Sequence, residues 1–154
     1  PAPPEVEKSS ISGETLFARM HPLLVHFPVA AVPMAGFIGF FGLVLRRYDR
    51  WLSTIRWLLL FTAILAPLSV ATGWLLADIE GYADQTVRLH RWSAVVLAVF
   101  TWVSLFFVEA AERKKFKIGR RGAVFFLLIA VLLAALAGHT GGELIYGEGY
   151  PFND

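Results

Sequence analysis

The run "PLLVHFPVAAVPMAGFIGFFGLVL", residues 22–45, decides the fold of this chain because it contains no Asp, Glu, Lys or Arg. An α-helix needs about 20 consecutive apolar residues to cross the hydrocarbon core of a bilayer. Three further uncharged runs follow, at residues 57–77, 92–108 and 122–142. Four such runs in 154 residues leave too little polar sequence to cover them in water. The sequence therefore predicts an all-α integral membrane protein, an up-and-down bundle of four transmembrane helices.

The composition agrees with this prediction and excludes several kinds of site. Hydrophobic residues make up 56% of the chain and charged residues 17%, whereas soluble domains are about 45–50% apolar and about a quarter charged. The absence of cysteine excludes disulfides, iron–sulfur clusters, thiolate zinc sites and covalently attached haem. Phosphate-binding loops and nucleophile-elbow motifs are also missing. The helix centres carry no charged residues, which disfavours an ion or proton transporter.

The charges between the runs predict the orientation. The 46–56 and 109–121 loops together hold ten Lys or Arg and three Asp or Glu, while residues 1–21, the 78–91 loop and the tail from residue 143 hold four and nine. Because basic loops stay on the cytoplasmic side, we expect both termini to lie in the periplasm of a bacterial inner membrane. The basic loops are therefore read as topology signals and anionic-lipid contacts, and nucleic acid is not an expected partner.

Three segments are predicted along the chain. Residues 1–18 form a polar periplasmic N-terminal segment, 19–149 the four-helix transmembrane domain and 150–154 a C-terminal tail. The opening "PAPPEVEKSS" has no basic start or apolar stretch, so it is not a signal peptide as it stands. Because the chain begins at Pro1 rather than Met, removal of a leader or upstream domain stays open.

All four histidines fall at the same, outer end of the predicted bundle. With the middle of each uncharged run at the bilayer centre, His26 and His139 lie about 10–12 Å above it. His90 lies a few ångströms higher and His21 near the headgroups. An ionisable side chain inside a membrane helix is costly and usually marks a functional site. This ranking by depth favours His26 and His139 and places His21 last.

Histidines from facing helices could bind a haem iron as its two axial ligands and form an electron-transfer centre. His21 and His26 lie five residues apart, about 140° around an ideal helix, so they are not expected to share one small metal ion. We predict His26 as one axial ligand. Its depth in the membrane favours His139 as the opposite ligand, whereas a bundle in which the first and third helices face each other diagonally would favour His90. Three arginines near the histidines could pair with the propionates: Arg19, Arg88 and Arg91. Small residues that could line a flat haem slot are Gly36, Gly39, Gly42, Gly73, Gly138, Gly141 and Gly142.

Carboxylates at the same end leave a second kind of site open. Histidine with carboxylate is the usual donor set for zinc or non-haem iron, but no HExxH or ExxH spacing is present. The carboxylates concerned are Asp78, Glu80, Asp84 and Glu143. Three histidines are candidate ligands in either reading: His26, His90 and His139.

The motifs "MHPLLVHFPVA" at 20–30, "LHRWSAVVLAV" at 89–99 and "GHTGGELIYGEG" at 138–149 resemble those of a bacterial membrane-protein family, DUF2231. The resemblance spans about residues 20–149. It implies a small module similar to a b-type cytochrome, found alongside cytochrome c or Rieske-type partners. The motif positions that it implies in this chain are His21, His26, His90, His139, Gly141, Gly142 and Tyr146.

The sequence thus predicts a membrane-bound haem b electron-transfer protein with two histidine ligands near the periplasmic face. One haem is expected, because two would crowd one layer of the bundle. Its expected partners are the bilayer and redox subunits such as cytochrome c or quinol-oxidising components; a stand-alone enzyme is not the expected role. Two alternatives stay open: a cofactor-free accessory subunit of a larger complex, or a non-haem metal or quinone site. Tyr146, Trp74 and Trp92 are expected to be interfacial anchors.

Overall fold

A computed structural model describes residues 11–113 and 119–152. Within these residues the helices are α1 (Gly13–Ala18), α2 (His21–Val44), α3 (Tyr48–Ile79), α4 (Gln85–Glu112) and α5 (Gly119–Tyr146). Most of the predicted polar N-terminal segment (1–10), part of the second basic loop (114–118) and the last two residues lie outside the described residues. The part of the N-terminal segment that is described includes α1, a short helix that the sequence analysis did not predict.

The predicted bundle of four transmembrane helices is confirmed. The four spans long and apolar enough to cross a membrane are Gly13–Val44, Tyr48–Ile79, Gln85–Glu112 and Gly119–Tyr146. Each contains one of the four uncharged runs, except that Leu45, the last residue of the first run, lies one position beyond its span. α3 and α4 continue beyond their uncharged runs into charged and polar residues. Such residues can remain helical outside the hydrocarbon core because the backbone hydrogen bonds of the helix are made within the helix itself.

The four long helices form a ring. α2 packs against α3 and α5, and α4 packs against the same two helices. α2 and α4 therefore lie on one diagonal of the bundle, and α3 and α5 on the other. The short helix α1 packs against α3. The diagonal position of α2 and α4 is the arrangement under which the sequence analysis favoured His90 over His139.

The two ends of the bundle differ in charge and in how the chain turns. We call the end that holds the starts of α2 and α4 the histidine end, and the opposite one the basic end. At the histidine end, α3 and α4 are joined by residues 80–84, where Gly81 has a φ of 74° and the Asp84 carboxylate accepts from the backbone N–H of Val87 at 2.8 Å. At the basic end, a tight turn joins α2 to α3 and places Arg46 in the left-handed region with a φ of 55°.

The bundle has a narrow core and an apolar outer surface. Ile55, Leu59 and Leu127 are almost fully buried in the core, while Phe37 and Leu132 on the outside are 65% and 71% exposed. Large apolar side chains on the outside of a helical bundle are unfavourable in water but favourable against lipid. Glycines on α2 let it approach α5 closely, since a Cβ at Gly36 would lie 2.5 Å from a methyl group of Val131.

Candidate functional site

Two of the four histidines face each other across the diagonal of the bundle. His21 is the first residue of α2 and His90 lies in the second turn of α4. Their ring centroids are 6.2 Å apart and their planes are nearly perpendicular, at 88°. Both side chains are partly buried between α3 and α5. The structure therefore brings together His21, which the ranking by depth placed last, and His90, one of the two histidines predicted to lie opposite His26.

A backbone carbonyl holds each of these rings in place. The Nδ1 atom of His21 lies 2.9 Å from the carbonyl oxygen of Ser69 on α3, and Nδ1 of His90 lies 2.9 Å from that of Ala137 on α5. A carbonyl oxygen can only accept a hydrogen bond, so Nδ1 must carry the proton in both rings. In the neutral form of each ring, Nε2 then keeps its free lone pair. Neither Nε2 atom has a hydrogen-bond partner among the described residues.

Two glycines make the space that the rings occupy. A Cβ added at Gly73 on α3 would lie 2.5 Å from Cε1 of His21, and one added at Gly141 on α5 would lie 3.1 Å from Cε1 of His90. Contacts below about 3.0 Å cannot be accommodated without movement. The sequence analysis included both glycines among the small residues of a slot. The structure shows that they seat the imidazoles.

The two halves of the site repeat each other. Arg19 and Arg88 each stand two residues before a site histidine, in "RMH" at 19–21 and "RLH" at 88–90. Each residue that supplies an acceptor carbonyl is followed three and four positions later by Thr-Gly, at Thr72–Gly73 and Thr140–Gly141.

Both threonines make the same hydrogen bonds in their halves. Each hydroxyl donates to the carbonyl four residues back at 2.9 Å and also reaches the acceptor carbonyl, at 3.1 Å from Thr72 and 3.3 Å from Thr140. Sequence reasoning missed the acceptor residues Ser69 and Ala137, and this repeat is the signal that could have found them.

The other two histidines point away from the site. His26 is exposed, and its Nδ1 lies 2.5 Å from the carbonyl oxygen of Pro22 one turn earlier. His139 has a side chain that is 44% exposed, and its Nε2 lies 3.7 Å from Glu143. The geometry therefore does not support the expected pairing of His26 with His139. Depth along a helix says nothing about which face a residue occupies, and the ring of helices places these two outside.

The arginines at the histidine end differ in their surroundings. The Arg91 guanidinium donates to Asp78 at 2.7 Å and to the Trp74 carbonyl at 3.3 Å, and it lies over the Trp74 ring at 5.1 Å. Its Nε is buried without a hydrogen-bond partner among the described residues. Arg19 and Arg88, the other two candidates for propionate pairing, are exposed.

Three of the four carboxylates considered above have structural partners. Asp78 is paired with Arg91, Asp84 caps α4, and Glu143 accepts from the backbone N–H of Gly149 at 3.1 Å. Within residues 11–113 and 119–152, no group of three or more His, Cys, Asp or Glu could hold a metal ion. This geometry gives no support to the mixed histidine and carboxylate site considered above.

Aromatic side chains surround the histidine end. The Trp74 and Trp92 rings meet edge to face at 5.9 Å, and Tyr146 stacks on Tyr150 at 4.5 Å. Trp92 and Tyr146 are 60% and 65% exposed, as expected of residues that anchor a helix at the interface. Gly142 seats the Tyr150 ring, since a Cβ there would lie 3.0 Å from it.

Comparison with models of protein families gives a match. A family model described as "Predicted membrane protein (DUF2231)" matches residues 18–151, which include the four long helices and both site histidines. No curated protein and no solved structure matches the chain.

Proposed function

The chain belongs to the DUF2231 family of predicted membrane proteins, and from this premise we propose that it is a membrane electron carrier that holds one haem b between His21 and His90. The observation that carries the proposal is the facing pair of imidazoles, each fixed through Nδ1 by a carbonyl and each with Nε2 unpartnered. Metal-binding histidines almost always donate their other N–H in this way, which fixes the ring and its tautomer.

The residues present fit such a group in their chemistry. Two imidazole nitrogens that bind one metal at ~2.0–2.1 Å each are about 4 Å apart, and each ring centroid lies roughly one ångström behind its nitrogen. These distances place the two ring centroids about 6 Å apart, which is close to the observed separation of 6.2 Å. Gly73 and Gly141 give the rings the room that they occupy, because a Cβ at either position would crowd an imidazole.

When bound, a haem iron with two imidazole ligands has no open position, so it supplies one-electron transfer rather than oxygen chemistry. The protein residues would perform three tasks. His21 and His90 would hold the iron, the Ser69 and Ala137 carbonyls would fix the rings, and Arg91 would offer a cation for a propionate. Arg19 and Arg88 are further candidates for that pairing, because both lie at the same end of the bundle.

We further propose the setting of this carrier. The excess of Lys and Arg at the basic end supports an orientation with that end in the cytoplasm and the histidine end at the periplasmic face of a bacterial inner membrane. A carrier at that face would exchange electrons with a periplasmic or membrane redox partner, such as cytochrome c or a quinol-oxidising subunit.

One observation favours a second function, a cofactor-free accessory subunit. The two rings are oriented edge to face with their centroids 6.2 Å apart, and this arrangement of aromatic rings is favourable without any metal between them. In that case, the histidine pair would tie α2 to α4 across the bundle and the outer surface would bind a larger complex.

A reduced-minus-oxidised visible spectrum of the purified, haem-replete protein tests the proposal, with a pyridine haemochrome assay for stoichiometry. We expect a sharp α-band and one haem per chain. His21→Ala and His90→Ala should each abolish the spectrum, while the exposed controls His26→Ala and His139→Ala should retain it. Absence of haem from the wild type would refute the carrier and leave the accessory subunit. Loss of haem in the control variants alone would refute the assigned pair.

A further inference from the structure

A cavity of about 1020 Å³ opens at the basic end, far from the histidine pair. Its lining comes from the turn after α2, the start of α3, and the facing parts of α4 and α5. Its charged and aromatic lining residues are Arg46, Tyr48, Phe107, Arg120, Arg121, Phe125 and Phe126.

The polar part of this cavity is cationic. Arg120 is paired with Asp49 at 2.7 Å. Arg46 and Arg121 are exposed and make no ion pair with any residue that the structure describes. Tyr48 is 3% exposed, and its buried hydroxyl lacks a hydrogen-bond partner in the described part of the chain. As far as the structure describes the chain, the lining thus holds two positive charges without an ion-pair partner and no carboxylate.

The apolar part of the lining consists mainly of phenylalanines. Phe107 and Phe126 stack with a centroid distance of 5.1 Å and an interplanar angle of 21°. Phe125, which is 59% exposed, stands one helical turn after Arg121 on the same face of α5. A charged rim above an apolar wall, at the level where a membrane helix leaves the bilayer, matches an anionic headgroup joined to an acyl chain.

We propose that this cavity is a binding site for one anionic phospholipid of the adjacent leaflet. The headgroup phosphate pairs with Arg46 and Arg121, and an acyl chain lies along the phenylalanines. The site is independent of the histidine pair, so its test does not depend on haem binding.

Titration of the delipidated wild-type protein with phosphatidylglycerol or phosphatidylcholine, read by native mass spectrometry, tests the proposal. We expect one tight phosphatidylglycerol per chain and weak binding of phosphatidylcholine. The double variant Arg46→Gln with Arg121→Gln should weaken phosphatidylglycerol binding about 25-fold, since each basic residue at a membrane surface contributes about five-fold.

The matched control neutralises Arg47 and Arg50, which are exposed at the same end but do not line the cavity. Arg47→Gln with Arg50→Gln should weaken binding by less than about three-fold, because these residues supply only diffuse attraction. Equal weakening in the two doubles would overturn the site in favour of general surface charge. Displacement of the lipid by millimolar inorganic phosphate would overturn the lipid assignment in favour of a free phosphate site. If the Arg46→Gln, Arg121→Gln double variant fails to fold, the single variant Arg121→Gln replaces it and should weaken phosphatidylglycerol binding about five-fold.

Discussion

Replacing Gly73 by alanine tests the seating of His21 directly. The new Cβ would lie 2.5 Å from Cε1, 2.8 Å from Nδ1 and 3.0 Å from Nε2 of that ring. Ordinary contact begins at 3.4 Å, so the ring must move by about 0.9 Å. Its hydrogen bond to Ser69, now 2.9 Å long, would then stretch toward about 3.8 Å and be lost.

The expected cost follows from these two effects. Overpacking a filled site costs about 1–3 kcal/mol, and a lost hydrogen bond costs about 0.5–1.5 kcal/mol. Gly73→Ala should therefore lower the free energy of unfolding by about 1.5–4.5 kcal/mol relative to a matched change. Gly138→Ala supplies that match, because it carries the same change in helix propensity and its Cβ would meet nothing within 4 Å.

Reversible unfolding in mixed detergent micelles measures this difference. Gly141→Ala, with its closest contact at 3.1 Å, should fall between the other two variants. Haem content, where haem is bound, should decline in the same order. If Gly73→Ala is as stable as Gly138→Ala, His21 does not occupy the seat described here, and the proposed ligand pair loses its basis.

Three further predictions can be checked by equilibrium unfolding. Leu127→Ala should cost about 1–3 kcal/mol, less than in a water-soluble core, because the unfolded reference in a membrane also keeps leucine away from water; no cost would contradict its central position. Asp84→Ala should cost about 0.5–2 kcal/mol through loss of the α4 cap, and Asp84→Ser should recover most of it. Arg91→Gln should cost more than Asp78→Asn, since Asp78 is exposed and a surface ion pair contributes ~0–1 kcal/mol; the reverse order would refute the assigned burial of Arg91.

The four membrane helices could be predicted because the absence of charge over about 20 residues is a property of the sequence itself. The shared end of the histidines followed from the same alternation of helix direction. The facing pair could not be predicted in this way. Depth along the axis ranked His21 last, but the face that a residue turns inward depends on which helices flank it.

The hydrogen-bond acceptors of the two site histidines could not be predicted for a different reason. Ser69 and Ala137 contribute backbone carbonyls, which every residue carries, so no residue type at those positions identifies them. The glycines were visible as small residues, but packing and ring seating require the same residue type. The helix α1 was missed because residues 1–18 were assigned as one polar segment, although Ser12 accepts from the N–H of Thr15 as a helix cap does.

Each hairpin of the bundle contains a complete half of the histidine site. His21 is fixed by α3 of its own hairpin and His90 by α5 of its own, and residues 80–84 are the chain connection between the two hairpins. In consequence, a chain that consists of one such hairpin could form the whole site as a dimer, in which two copies are related by a twofold axis normal to the membrane. Cutting the chain beside Gly81 should then yield two fragments that reassemble in a bilayer, and exchange of matching fragments between variants would allow each histidine to be altered on a separate polypeptide.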